Sequence, residues 1–170
     1  MVRRLVRSTV IGFLGLLLAI QIVPYGRHHT NPPVQTEPAW DSQPTREMAV
    51  RACYDCHSNQ TVWPWYSHIA PVSWLVQRDV DEGRKKLNFS EWDLPQREAR
   101  ESAKAVRKGK MPQWYYVLGH PEALLSPAER QAFIEGLQAT FGREKQDDKK
   151  TEEKHEKREQ RNRKWRKSFY

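Results

Sequence analysis

The spacing of apolar residues along the chain predicts helices and no long strand. The first helix of the central region can be capped by Thr45, and its apolar face has the i, i+3, i+4, i+7 spacing of a helix through Ala49, Ala52, Cys53 and Cys56. Both cysteines then lie on one face. No segment alternates between apolar and polar positions for long, as a half-buried strand does. The folded part is therefore predicted to be all-α.

Two further helices are predicted in the middle of the chain. One begins after Pro71, and its apolar face comprises Val72, Leu75, Val76, Val80 and Leu87. Gly83 lies inside this helix and weakens the prediction. The next helix is expected to open at a capping box of Ser90 and Asp93 and to stop at Gly109.

The last predicted helix has the strongest start signal. Ser126 is a good cap, Pro127 suits the first turn and Glu129 completes a capping box. The helix ends at Gly142, and its inward face comprises Phe133, Ile134, Leu137 and Phe141. Together the four helices predict one folded domain over residues 45–142.

The N-terminal segment, residues 1–26, predicts a transmembrane helix that acts as a signal anchor. No charged residue lies between Arg7 and Arg27, and an uncharged run of this length can cross a bilayer. The arginines before it place the N-terminus in the cytoplasm and the folded domain in the periplasm, so the expected location is a bacterial inner membrane. A cleaved signal peptide is the alternative. Residues 27–44 contain four prolines and predict an extended spacer.

The positive charge is concentrated at the two ends of the chain. Of the formal net charge of +8, residues 143–170 carry +5 and the arginines before the apolar run carry +3, so the region between them is neutral. A nucleic-acid-binding domain carries its basic surface on the folded part, so nucleic acid is not expected as a partner. The charged tail is predicted to be solvated, and its basic, aromatic end could contact an acidic partner or lipid.

Both cysteines fall within Cys53-Tyr54-Asp55-Cys56-His57, a Cys-x-x-Cys-His sequence. This is the signature of c-type haem attachment, in which each thiol adds to one vinyl group and the adjacent histidine binds the iron as proximal ligand. The second ring nitrogen of that histidine should donate to a carbonyl or water. A disulfide, a thiol redox pair and a zinc site are the alternatives. A disulfide between these cysteines would close a short loop and so remove little entropy from the unfolded chain. A thiol redox pair is expected in a βαβ setting, which the sequence lacks, and a zinc site needs further ligands.

A thin aliphatic core also favours a large apolar cofactor, because a domain of this size needs more buried surface than its helices supply. Aromatic side chains that suit such a flat guest are Trp63, Trp65, Tyr66 and Trp114. We expect one haem c per chain.

The distal iron ligand is expected to be Met111. It lies in a loop after the third predicted helix, and Pro112 fixes the backbone behind it. A thioether opposite a histidine raises the reduction potential and suits electron transfer. His68 or His120 could replace it and give a bis-histidine haem.

Two runs of the sequence, "CYDCHSNQTVWPWYSHIAPVSWLVQRDVDEGRKKLNFSEWD" and "GKMPQWYYVLGHPEALLSPAER", closely resemble the bacterial haem-binding domain family. The resemblance covers roughly residues 45–140. It implies a small cytochrome-c-like fold around one covalent haem, membrane anchoring, and His57 as axial ligand. Met111 matches the Met-Pro position of the family, although Gln113 stands where members often carry a second proline.

The expected function is therefore single-electron transfer between redox partner proteins by a membrane-anchored periplasmic cytochrome. No general base, nucleophile or phosphate-binding loop is evident, so the chain is not expected to be an enzyme. The alternatives are a haem-based sensor or gas-binding protein, a peroxidase that uses His68 or His120, and a non-haem Cys-x-x-Cys redox protein.

Overall fold

The computed structural model describes residues 1–143, 157–159, 161 and 163. It contains helices α1 Val2–Ile20, α2 Gln43–Ala52, α3 Tyr54–His57, α4 Val72–Lys86, α5 Ser102–Arg107, α6 Trp114–Gly119 and α7 Pro127–Phe141. Short 3₁₀ turns lie at Trp65–His68, Ala99–Glu101 and Pro121–Ala123. Within these described residues the only β-type pairing is an isolated bridge between Thr36 and Glu91. The all-α prediction is confirmed.

The described residues form two compact units. The first unit comprises Met1–Pro38 and Cys53–Gln96, and the second comprises Ala39–Ala52 and the residues from Arg97 onward. The cysteine motif therefore belongs to the first unit, whereas Met111 belongs to the second.

Helix α1 accounts for most of the predicted anchor segment. It has no buried residue, and most of its apolar side chains are exposed, with Leu17 and Ile20 half-buried near its end. Among the described residues, no helix combines the length and the apolarity needed to span a bilayer. The transmembrane helix stays a prediction.

The segment after α1 packs on the first unit, although its prolines predict an extended spacer. The amides of Gln35 and Thr36 both donate to the carbonyl of Ser90, at 2.8 and 3.2 Å. The amide of Trp92 in turn donates to the carbonyl of Thr36 at 2.9 Å. An irregular segment has backbone groups without helical partners, and here the loop after α4 satisfies them.

The helix predicted to begin after Pro71 is confirmed as α4, and it is the main support of the first unit. It packs against α3 and against the 3₁₀ turn at Trp65–His68. The apolar core beside it comprises Tyr54, Ala70, Val80, Leu87 and Phe89. Phe89 and Tyr54 stack with their ring centroids 5.4 Å apart.

The second unit is built on α7, which packs against α2 and α5. Its start at Ser126 is confirmed in detail, because the hydroxyl of Ser126 accepts from the amide of Glu129 and the Glu129 carboxylate accepts from the amide of Ser126. The helix ends at Gly142, which has a φ of 83°. The buried residues of this unit include Ala49, Ala103, Val106, Phe133 and Leu137.

Two predicted helix starts are wrong. Helix α2 begins at Gln43, and the hydroxyl of Ser42, not Thr45, accepts an amide hydrogen bond there. No helix opens at Ser90, because its buried hydroxyl accepts from the amide of Asn59 at 2.9 Å. The helical segment predicted there begins only at Ala99. At Ser90 a tertiary contact uses the side chain that the local pattern assigns to a cap, whereas at the start of α2 the hydroxyl of Thr45 pairs with that of Ser42 at 2.9 Å.

Candidate functional site

The periodicity predicts that the cysteine motif continues helix α2, but the structure shows that it does not. Helix α2 ends at Ala52, and Cys53 has φ −133° and ψ −34°, outside the helical region. The next turn, α3, closes on the carbonyl of Cys53, which accepts from the amides of Cys56 and His57 at 3.1 and 2.9 Å. The two thiols and the imidazole are thus carried by a single compact turn.

The ring of His57 is oriented by two backbone carbonyls. Its Nδ1 lies 3.0 Å from the carbonyl oxygen of Gly83 and 3.0 Å from that of Leu87. A carbonyl oxygen can only accept, so Nδ1 carries the proton and the lone pair of the neutral ring lies on Nε2. This is the arrangement in which metal-ligating histidines are held by their second ring nitrogen.

Helix α4 approaches the motif so closely that only glycine fits at position 83. A Cβ atom there would lie 2.2 Å from the carbonyl oxygen of Cys56 and 2.9 Å from its carbonyl carbon. The glycine that weakens the helix prediction is therefore the residue that lets α4 contact the motif. The same close approach brings the Gly83 carbonyl to His57.

The residues after the motif are fixed by a buried polar network. The carbonyl of His57 accepts from the amide of Phe89 at 2.8 Å, and the hydroxyl of Ser58 donates to the carbonyl of Tyr54 at 2.8 Å. The Asn88 side chain donates to that of Asn59 at 2.9 Å. These buried groups have little freedom to rearrange, since each would lose a hydrogen bond.

Both thiols are half-buried and neither is joined in a disulfide. Burial raises the pKa of Cys53 to about 12, and the nearby Cys56 adds to this effect. Burial also raises the pKa of Cys56 to about 12, with further contributions from the carboxylates of Asp79 and Asp55. Reactive redox cysteines have lowered pKa values, so these two thiols do not resemble a thiol redox pair.

The aromatic residues expected near the cofactor have different environments. Trp63 is half-buried, stacks on His29 at a centroid distance of 4.3 Å and donates from its Nε1 to Asn31. Tyr66 is half-buried, whereas Trp65 is 76% exposed. Trp114, in the second unit, is 74% exposed. Their packing against a cofactor stays a prediction.

The three candidate distal ligands occupy three different settings. Met111 lies between α5 and α6 in a non-helical segment, as predicted, and is half-buried. His68 is exposed, and its ring is tilted against that of His29. His120 stacks on Tyr116, and its Nδ1 lies 3.1 Å from a carboxylate oxygen of Glu122. The identity of the distal ligand stays a prediction.

The family model of the haem-binding domain matches residues 15–139, which is most of the chain and includes the cysteine motif. The chain belongs to the haem-binding domain family. It therefore binds haem. No curated protein and no solved structure matches the chain.

The residues of this haem-binding domain fit the cofactor. The motif offers two thiols and an imidazole whose Nδ1 is bonded to carbonyls, which is the donor set that c-type attachment needs. No group of three or more His, Cys, Asp or Glu side chains suited to a metal ion occurs in the part of the chain that the structure describes.

Sequence reasoning identifies the candidate ligands of the haem-binding domain but not the groups that support them. The carbonyls of Gly83 and Leu87 have no side-chain signature, so no motif search can identify them. The one available signal is Gly83 itself, a glycine inside an otherwise regular amphipathic helix.

Proposed function

We propose that the chain is a c-type cytochrome that carries single electrons. The observation that supports this most strongly is the hydrogen bonding of His57, whose Nδ1 lies 3.0 Å from two carbonyls within a Cys-x-x-Cys-His motif. Its Nε2 would bind the iron, and Cys53 and Cys56 would each form one thioether bond. The bound haem supplies an iron that gains or loses one electron.

The protein would contribute the ligands and their rigidity. The carbonyl hydrogen bonds make the imidazole of His57 a more basic ligand, which favours the oxidised iron. Met111 as distal ligand would act in the opposite direction, because a thioether raises the reduction potential. The balance between these two residues would set the working potential.

The proposed location is the periplasmic face of a bacterial inner membrane, with residues 1–26 as the anchor. The arginines before the uncharged run and the exposed apolar side chains of α1 support this. The domain would exchange electrons with redox partner proteins. The charged tail, proposed to contact an acidic partner or lipid, lies almost entirely outside the described residues.

A redox titration with carbon monoxide as a second probe tests the proposal. We predict that the wild-type protein titrates reversibly with one electron and that its reduced form resists carbon monoxide. Met111→Ala should keep its haem, bind carbon monoxide and titrate at a lower potential, because an open iron site replaces the thioether. His68→Ala and His120→Ala are the matched controls and should behave as wild type.

Ready binding of carbon monoxide by the reduced wild-type protein would contradict electron transfer and favour the sensor alternative. If Met111→Ala resists carbon monoxide as wild type does and one histidine variant binds it, then that histidine is the distal ligand.

A further inference from the structure

Arg84 follows Gly83 on α4 and binds the backbone next to His57. Its Nε donates to the carbonyl of Ser58, the residue after His57, at 2.8 Å. One of its terminal nitrogens donates to the hydroxyl of Thr61 at 2.9 Å. Both acceptors lie in the loop that follows the motif, so one side chain holds the start and the middle of that loop.

The same guanidinium binds the segment between α1 and α2. It donates to the carbonyl of Thr30 and to the side-chain oxygen of Asn31, each at 2.9 Å. Asn31 in turn donates to the carbonyl of Thr61 at 2.8 Å. The segment that the sequence assigns to a spacer is therefore joined to the motif through Arg84.

The chemistry of these contacts requires an arginine. The four acceptors are uncharged and lie in two segments, the loop after the motif and the segment between α1 and α2, and only a planar fork of N–H groups can reach them together. A lysine would bring the same charge as a single point and could not satisfy all four. The positive charge also lies close to the motif, since the Nε of Arg84 is 2.8 Å from the carbonyl oxygen of Ser58, the residue after His57.

We propose that Arg84 is a positioning residue for the proximal ligand His57, acting through Ser58, and that Asn31 completes this support. The inference rests on the proposed function. Gly83 fixes the ring of His57 from one side, and Arg84 fixes the backbone that leaves His57 on the other. Without Arg84 the backbone after His57 would be less restrained, so the ring would shift relative to the carbonyls of Gly83 and Leu87.

The test uses the full-length, haem-loaded protein. The variants are Arg84→Lys, Arg84→Gln and Asn31→Ala, and the control is Arg78→Gln, an exposed arginine on the same helix. Two properties are measured: the proton resonances of the His57 ring in the ferric protein, which the iron shifts, and the reduction potential. Circular dichroism reports whether each variant is folded.

We expect one set of His57 resonances in the wild type and in Arg78→Gln. Arg84→Lys and Arg84→Gln should show displaced or multiple sets, and Asn31→Ala a smaller displacement in the same direction. The potential should fall in Arg84→Gln, which loses a positive charge beside the motif, and stay close to wild type in Arg84→Lys. Asn31→Ala removes one of the four acceptors of Arg84, together with the hydrogen bonds of Asn31 with Thr61 and Trp63, and leaves Arg84 itself in place. It keeps the test decisive if an Arg84 variant does not fold.

Unchanged His57 resonances in the folded variants would overturn the positioning role of Arg84, while the proposed cytochrome function would stand. A wild-type protein without covalently bound haem is a different result, because it would remove the proposed function itself.

Discussion

The hydrogen bonds at Nδ1 of His57 determine which ring nitrogen can bind iron. They come from backbone carbonyls in and just after the last turn of α4, those of Gly83 and Leu87. A backbone acceptor cannot rotate away as a side chain can, so the ring is held in one orientation before any metal binds. At the scale of single residues, the proposed ligand His57 is therefore preorganised by the helix beside it.

Gly83 offers a sharp test of this close contact. A Cβ at position 83 would lie 2.2 Å from the carbonyl oxygen of Cys56, and no side-chain rotation can relieve a clash with the backbone. We predict that Gly83→Ala lowers the free energy of unfolding by about 3 kcal/mol and reduces the yield of haem-loaded protein. Thermal denaturation and the haem absorbance per chain measure the two effects.

Gly12→Ala is the matched control, because a Cβ at position 12 in α1 has no atom within 4 Å. If Gly83→Ala is as stable as Gly12→Ala, then α4 does not approach the motif as closely as the structure indicates.

At the scale of elements, the start of α7 is held by charges as well as by its cap. The Glu129 carboxylate accepts from the guanidinium of Arg51 on α2 and from the amide of Ser126. These hydrogen bonds lower the pKa of Glu129 from its ordinary value of 4.5 to about 2, with Arg51 as the largest cause. The ionised carboxylate thus joins α2 to the first turn of α7.

This pKa shift predicts how stability depends on pH. A carboxyl group with a lowered pKa in the folded protein stabilises it above pH 4.5, and the contribution is lost as the pH falls toward 2. Wild type should therefore exceed Glu129→Gln in stability at pH 6, and the difference should disappear near pH 2. Urea unfolding at several pH values measures this, with Glu135→Gln as a control on the same helix. A difference that does not vary with pH would contradict the proposed role of the carboxylate.

The helices were predictable where local chemistry and packing agree. Helix α7 has a complete capping box, and α4 has a long apolar face, so both follow from the sequence. The motif residues Cys53, Cys56 and His57 are also recognisable, because their spacing is the signature of c-type haem attachment. The predictions were wrong where tertiary contacts determine the start of a helix, as at Ser90, whose hydroxyl accepts from the amide of Asn59.

The support of the site was not predictable for a related reason. Carbonyl groups are common to every residue, so the carbonyls that hold His57 leave no trace in the sequence. The four acceptors of Arg84 come from segments far apart along the chain, and proline-rich residues 27–44 carry no periodicity that would place them beside α4.

At the scale of the whole molecule, the family match begins within α1 and ends within α7. It therefore includes residues of both units and the whole segment between α1 and α2. The contacts of Thr30 and Asn31 with Arg84 place this matched segment beside helix α4.

The most direct test of covalent haem attachment is the intact mass of the denatured full-length protein, produced together with a cytochrome c maturation system. We predict that the mass exceeds that of the polypeptide by one haem, because thioether formation adds each thiol across a vinyl group and releases nothing. The Cys53→Ala/Cys56→Ala double variant should have the polypeptide mass alone. A wild-type chain of bare polypeptide mass, from cells in which a known c-type cytochrome acquires its haem, would contradict the proposed function.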